Sequence, residues 1–517
     1  MLTQNYREQV SQRTKDRIND SCFQFVIYHS SLSSVGQDQV LLNTRHSFSD
    51  WVVACSSKTA FQQTSHSGRS VGIIGFCIDS HGELSKDQIS GFLLDRGQDV
   101  HGILAASRRF AGKYVLLYFT EGVMYIFPDA TSSLPINYYS NPDASGDLSK
   151  CLVSSLPKII ANVNSCSVIV QNMQCILDSR SENRVLPGDV TVYEHIYELL
   201  ANHYLVLPSS SCCRFYPKTG SKEAVSTADV IQKTIDLTSC ILDQYHKYYQ
   251  LVLALTGGWD SRLVLATFVH SKTSFDSFTY YMKNFSEATG DLVIPQQLAR
   301  EKGFNHTVVH VPEADQSNYD YLDEIIGNGL YSQTSLRQGC VFQSELGEQA
   351  FLTGDIVGPI AKSSLSQNVP DFFACPSYFR CKLHCFHPFA KKAIRPWYQS
   401  IQKVRKEVSP FDLFTWENRI TRWVNVINQP YSCLGVTSLN SFNCRELLEA
   451  WVQIPRRLRY KKCIHLGVFE KLAPDLMQLS VNPGSDISSF MKKRWPLFLF
   501  GTYFKFYRDM IYKRIGY

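Results

Sequence analysis

The sequence is 517 residues long, and several familiar signatures are missing from it. No Cys-x-x-Cys pair occurs among its 16 cysteines, so the first clamp of a structural zinc site is absent. "CPSYFRCKLHCFHPF" gathers Cys375, Cys381, His384, Cys385 and His387 without that clamp, and buried thiols and ordinary histidines are expected there. The opening "MLTQNYREQVSQRTKDRIND" is polar where a secretory signal needs an apolar stretch, and the cysteines are scattered; both predict a cytoplasmic, reducing setting. No apolar run reaches the roughly 18 residues needed to span a bilayer. Internal repeats and low-complexity tracts are lacking, and charged residues are only 19 % against 44 % hydrophobic, a globular balance with little room for long disorder.

The formal charge of +6 is local. From Phe490 to Tyr517, "FMKKRWPLFLFGTYFKFYRDMIYKRIGY" holds seven Lys or Arg and one Asp, which accounts for all of it. The rest is balanced, and no nucleic-acid partner is expected. The tail interleaves its cations with Trp495, Phe498, Phe500, Tyr503, Phe504, Phe506 and Tyr507. Weak peripheral contact with an anionic membrane is one reading. The favoured one is a final helix that packs its aromatics on the protein and lets its lysines snorkel outward.

At this length two domains are expected. The first two hundred residues hold short apolar stretches, "FQFVIYHSS", "SVGIIGFCID", "KYVLLYF", "GVMYIFPD" and "PINYYS", separated by Gly, Asp, Ser and Pro. These read as strands in two sheets packed face to face. "SSSCCRFYPKTGSKEAVST" reads as loop, which puts the boundary near Pro217 to Lys222 and the domains at 1–220 and 221–517. Beyond it strands alternate with helices: "TADVIQKTIDLTSCILDQYHKYY", "QLVLALTGG", "DSRLVLATFVHS", "SFDSFTYYM", "GDLVIPQQLAREKG", "NHTVVHV", "DQSNYDYLDEIIGNGL" and "QAFLTGD". That order predicts an α/β fold with right-handed crossovers and a parallel sheet, and a mostly helical remainder from about Phe372.

The most informative stretch is "LVLALTGGWDSRLVLA", residues 251–266. A strand that turns into a helix through Gly257 and Gly258 exposes backbone N–H groups, and the helix N-terminus adds partial positive charge, so the bend is a seat for an oxyanion. It has neither the lysine of a Walker A loop nor the spacing of a dinucleotide fingerprint. Asp260 beside phosphate makes sense with Mg²⁺ between them, and Thr256 and Ser261 add hydroxyl donors. The simpler reading is a tight turn in which Asp260 or Ser261 caps the helix. In parallel sheets ligands sit beyond the carboxyl ends of the strands, where both "LTGG" and "LTGD" fall.

"LTGGWDS" resembles the Ser-Gly-Gly-x-Asp-Ser pyrophosphate loop of ATP pyrophosphatases, with Thr256 for the first serine, and the chain order around it is similar to the asparagine synthetase family. "RFAGKYVLLYFTEGVMYIFPDATSSLPINYY" resembles the paired strands of that family's glutaminase-type domain, "FLTGDIVG" its second glycine loop and "RELLEAWVQIPRRLRYKKCIHLGVFEKLAPDL" its closing helices. The resemblance implies an N-terminal Ntn-type α+β sandwich, an ATP pyrophosphatase domain of HUP-like fold and an AMP- and pyrophosphate-forming amide ligase. ATP and Mg²⁺ are the implied cofactors, and a small-molecule, peptide or sugar carboxylate is the implied substrate, in bacterial secondary metabolism or surface-polysaccharide modification. Carried over by position, Gly257, Gly258 and Ser261 hold pyrophosphate, Asp260 binds Mg²⁺, and Leu255, Thr256, Thr353 and Gly354 line the nucleotide. Asp260, Asp355 and Arg262 are the catalytic candidates.

Three departures bear on these roles. The family's glutaminase uses a cysteine directly after the initiator Met, whereas position 2 here is Leu2 and the first cysteine is Cys22, so no glutamine hydrolysis is expected. The second loop runs Asp355, Ile356, Val357, Gly358, Pro359 where the family carries further acids. "MQLSVNPG" offers Asn482 and no lysine where synthetases place an essential one; Arg262, Arg456, Arg459, Lys461 and Lys462 are the candidate substitutes. A non-catalytic nucleotide-binding relative is therefore the alternative expectation.

Overall fold

The computed structural model describes residues 12–32, 42–144, 146–178, 185–220, 225–271, 274–282, 290–327, 330–364, 367–478 and 494–514. The N-terminal half supplies twelve described strands: β1 (Phe25–His29), β2 (Thr44–Phe48), β3 (Trp51–Cys55), β4 (Phe61–His66), β5 (Arg69–Asp79), β6 (Phe110–Thr120), β7 (Val123–Pro128), β8 (Asn137–Tyr139), β9 (Leu152–Ser154), β10 (Ile196–Glu198), β11 (His203–Leu207) and β12 (Ser211–Arg214). They form two antiparallel sheets, in the orders β10-β8-β9-β1-β3-β2 and β12-β11-β7-β6-β5-β4. Ser67-Gly68 and Glu121-Gly122 close the β4–β5 and β6–β7 hairpins with positive φ at both residues, the two-residue turn whose twist suits antiparallel strands.

Alternation along β5 and β6 separates two cores. Ile74, Phe76, Ile78, Val115, Leu117 and Phe119 face the large core shared with the other sheet. Val71, Ile73, Cys77, Tyr114, Leu116 and Tyr118 pack on helices α1 (Ile89–Arg96) and α2 (Val100–Ser107). The face-to-face sheets expected from the sequence are present. The stretch read as loop before Pro217 is a correction: its Ser211–Arg214 pairs with β11 from Val206 back to His203 as an edge strand.

After helix α3 (Thr227–His246) the strand pairing changes from antiparallel to parallel. Strands β13 (Leu251–Ala254), β14 (Asp276–Tyr281), β15 (His306–His310), β16 (Ala350–Leu352) and β17 (Thr437–Leu439) make one parallel sheet in the order β15-β14-β13-β16-β17. Helices α4 (Trp259–Ser271), α5 (Gly290–Lys302), α6 (Gln316–Ile325) and α7 (Gln333–Leu346) are its crossovers. The last third is mostly helical, as expected, and strand β17 is the addition to it: its Thr437–Leu439 pairs with β16, with the apolar Val436 and Leu439 buried there.

The halves share a continuous core and are also pinned by buried polar groups. Glu417, fully buried in a π-helical turn at Phe414–Ile420, accepts from Arg214 and Asn202 of the first half and from Trp397 Nε1. Burial alone would raise its pKa; the Arg214 guanidinium holds it below the usual carboxylate range. Asp129, also fully buried, accepts from the backbone N–H groups of Thr131 and Ser133 and from Asn443 Nδ2 at 3.0 Å, while that same amide reaches the Gly112 carbonyl at 2.6 Å. Replacing Asn443 by Ala strands these acceptors. The variant is expected to lose about 2 kcal/mol of unfolding free energy in denaturant titration with an unchanged far-ultraviolet spectrum; a loss indistinguishable from zero would remove Asn443 from the interlock.

Candidate active site at the two glycine turns

Strands β13 and β16 are direct neighbours, so their carboxyl ends bring residues 254–261 and 353–355 together. Helix α4 begins at once after the first bend, and its Leu263, Val264, Leu265, Ala266 and Phe268 are fully buried between α3, the sheet and helix α8 (Cys463–Leu472). Trp259 fixes its start: the indole stacks on Phe469 at 5.8 Å, and the Lys462 ammonium lies over the same ring at 4.1 Å. The helix N-terminus is thereby held rigidly at the sheet edge.

Beside it lies a cavity of about 360 Å³, lined on this side by Thr256, Asp260, Ser261, Thr353, Gly354 and Asp355. Its far wall is aromatic, with Tyr280, Phe342, Phe351, Trp423 and Tyr431, and hydroxyls of Ser332, Thr334 and Ser335 form a rim. The lining is thus mixed, combining aromatic rings with many hydroxyls and two carboxylates, and a hollow of this size suits a small organic ligand with polar groups of its own. Tyr431 donates to Gln338 at 2.5 Å, and the Trp423 indole N–H has no partner among the described residues.

Asp260 lies against the second glycine segment. A Cβ at Gly354 would stand 2.9 Å from the Asp260 carbonyl carbon, and one at Gly358 would stand 2.4 Å from its carboxylate. Gly354 thus makes room for the Asp260–Ser261 backbone and Gly358 for the Asp260 side chain. The carboxylate is engaged on both oxygens: His465 Nε2–H donates to Oδ1 at 3.0 Å, and Lys362 Nζ lies 2.7 Å from Oδ1 and 2.8 Å from Oδ2. Burial would raise the Asp260 pKa, but the hydrogen bond from His465 and the Lys362 charge outweigh it and leave the group below its ordinary value. Burial likewise holds His465 below the ordinary imidazole value, so it is neutral, with the proton on Nε2 assigned from its bond to Asp260. Asp355 goes the other way: burial raises it, and the nearby Asp260 charge adds to that.

The bend itself is internally closed. Gly257 N–H donates to the Asp291 carboxylate at 2.9 Å, Gly258 N–H to Thr256 Oγ1 at 3.2 Å, and Thr256 N–H to Ser261 Oγ at 3.1 Å. The expectation that the bend exposes its backbone N–H groups is therefore corrected: the Gly257 amide is held by Asp291 and the Gly258 amide by Thr256. Gly257 is buried, and neither it nor Gly258 lines the cavity. Leu255 is fully buried and pairs with Phe278 through its N–H. Arg262 is fully buried too; it donates to the carbonyls of Leu476 at 2.9 Å and Gly257 at 3.2 Å and so braces the bend from behind.

Of the other cationic candidates, Arg459 is buried against Asp412, Arg456 is tied to Asp371, and Lys462 sits on Trp259. Asn482 lies outside the described residues. Sequence reasoning missed Lys362, His465 and Asp291. A signal for the first existed: Gly358 and Lys362 are four residues apart on one turn of helix, so the cation points where the glycine makes room. Cys22, the first cysteine, is buried, donates toward the Val436 carbonyl at 3.4 Å, and has its pKa pushed up to about 11 by burial, unlike a nucleophilic thiol.

A resident Mg²⁺ does not fit this arrangement. It needs free carboxylate oxygens, and both oxygens of Asp260 are taken by Lys362 and His465. Among the described residues no three His, Cys, Asp or Glu side chains converge for a metal.

No family model matches the chain, and no curated protein sequence is significantly similar to it. Solved structures share only weak likeness. The NH3-dependent NAD synthetase from Campylobacter jejuni is 13 % identical, covers 40 % of this chain and 95 % of its own, and has a TM-score of 0.20. The glutamine-dependent NAD+ synthetase from Acinetobacter baumannii, in complex with ADP, is 12 % identical over 50 % of this chain and 66 % of its own, at 0.20. Glutamine phosphoribosylpyrophosphate amidotransferase from B. subtilis, with ADP and GMP, is 9 % identical over 61 % and 91 %, at 0.25. At such scores these likenesses carry no argument about this chain.

Because its folded pKa is depressed, Asp260 contributes stability that is present above its ordinary value of 3.8 and lost as pH falls through the lower folded value. Lys362→Met removes one cause. Wild type is expected to exceed the variant by about 1–2 kcal/mol in unfolding free energy near neutral pH, with the gap narrowing as pH is taken below 3.8. A gap that does not change with pH would show that Lys362 acts through packing alone.

Proposed function

We propose that this cavity binds ATP and that the protein is an ATP-dependent, adenylate-forming amide ligase of the asparagine synthetase type, without glutaminase activity. The observation that carries the reading is that two segments about a hundred residues apart meet at the carboxyl ends of neighbouring parallel strands and line one cavity, Thr256, Asp260 and Ser261 from the first and Thr353, Gly354 and Asp355 from the second, with the Asp260 side chain 30 % exposed between them. The aromatic wall of Tyr280, Phe342 and Tyr431 suits a base, and the hydroxyls of Thr256 and Ser261 at the start of α4 suit phosphate oxygens.

In the first step an oxygen of the substrate carboxylate attacks the α-phosphorus of ATP, the bond to the β-phosphate oxygen breaks, and pyrophosphate leaves with that electron pair. In the second an amine or ammonia attacks the acyl carbon, AMP departs with the acyl–oxygen electrons, and the surplus ammonium proton passes to solvent. Charge on the departing pyrophosphate is met by the helix N-terminus and by Lys362, a cation held against Asp260 of the cavity lining. Arg262 holds the bend's shape without touching substrate.

One observation favours a second reading, a non-catalytic nucleotide-binding relative: the carboxylate that the ligase reading needs is already engaged on both oxygens, by the Lys362 cation and by the His465 N–H. Exchange of labelled pyrophosphate into ATP, with pooled carboxylates and Mg²⁺ in the medium, separates the two. Acid-dependent exchange that falls by roughly a hundredfold or more in Asp260→Ala is the expected result. ATP binding by calorimetry with no exchange for any acid establishes the second reading, and no ATP binding at all overturns both.

A further inference from the structure

The last described helix, α9 (Trp495–Arg514), was expected to turn its aromatics inward, and only part of it does. Phe506 is buried against Phe386 at 5.2 Å, Trp495 meets Phe373 at 5.3 Å, and Lys382 lies over Phe498 at 4.1 Å. On the opposite side Phe500 is 67 % exposed, Phe504 59 %, Tyr507 50 % and Ile511 53 %, with Leu497 beside them. Their spacing of three and four residues makes one stripe, about 21 Å long from Leu497 to Ile511. Single exposed apolar residues need no explanation, but a continuous aromatic stripe does.

Charge identifies the occupant. Arg494, Lys505 and Arg508 follow one edge of the stripe, at spacings of eleven and three residues. The helix's one acid, Asp509, is turned inward at 3 % exposure and receives the Arg508 guanidinium at 2.8 Å. The outward face therefore carries aromatics and cations with no acid. A second copy docking through the same face would bring like charges side by side. Among the described residues no helix is long and apolar enough to cross a membrane. Large rings, a basic edge and modest overall hydropathy match a helix lying in the plane of a bilayer surface.

We propose that α9 is a peripheral membrane-binding element, which seats Phe500, Phe504, Tyr507 and Ile511 among the acyl chains of an anionic lipid surface while Lys505 and Arg508 meet the headgroups. The inference stands on this helix alone and does not depend on the chemistry of the cavity. It is tested with the full-length protein by flotation with phosphatidylcholine vesicles, with and without phosphatidylglycerol. Binding is expected only with phosphatidylglycerol present and to weaken as salt is raised. Phe500→Asp and Phe504→Asp should each lower it by roughly tenfold or more, and Lys505→Glu by roughly fivefold or more. All three sites are exposed, so the variants should keep the wild-type melting temperature, checked in parallel. Failure of the wild type to float, equal flotation with neutral vesicles, or a concentration-dependent dimer that Phe504→Asp dissolves would each overturn the proposal, the last by assigning the stripe to a second copy.

Discussion

The geometry of the site depends on one carboxylate and the space made for it. Asp260 stands on the first turn of a helix that cannot move, because the apolar residues of that helix are packed on every side and Trp259 is clamped from above and beside. Two glycines of another segment make the space: Gly358 lies against the acid itself and Gly354 against the main chain that carries it. Lys362 and His465 then fix its charge state. A group so placed cannot drift, and its oxygens present a fixed field to the cavity. The same fixation distinguishes the site from a simple helix cap, for which none of these neighbours is needed.

The scaffold below it is unusually interdependent. Glu417 belongs by sequence to the second half but finds Arg214 and Asn202 in the first, and Asn443 reaches back to Asp129 in the same way. These groups are buried and compensated from both sides, which makes separation of the halves costly. The segment that carries Asn440 and Asn443 also follows β17, whose Leu439 carbonyl accepts from the Thr353 N–H at the second glycine turn. Docking of the antiparallel sheets and positioning of the cavity's rim are therefore linked through one short stretch of chain.

Much of this was legible before any coordinates. Short apolar stretches broken by Gly, Asp, Ser and Pro located the strands of the two antiparallel sheets, and alternation of apolar runs with helical spacing located the parallel sheet. The bend at 255–261 was found because glycine pairs at strand ends have few other uses. What could not be read falls into two kinds. Strands β12 and β17 are three or four residues long and owe their conformation to a partner far away in sequence, which no local propensity records. Lys362, His465 and Asp291 meet the bend only through tertiary packing, and each has an ordinary surface reading when seen alone. Arg262 misled in the opposite sense: an arginine beside a nucleotide loop suggests chemistry, yet its position five residues after Gly257 on a buried helix face turns it toward main-chain carbonyls.

The Asp291 oxygen that sits on the Gly257 amide has a consequence for the fold itself. It ties the first residue pair of the bend to the opening turn of α5, the crossover that follows β14, so two successive connections of the parallel sheet are stitched together at their starts. Because the donor is main chain and the acceptor is tethered to the same protein, the bend keeps its shape without borrowing a partner from solvent.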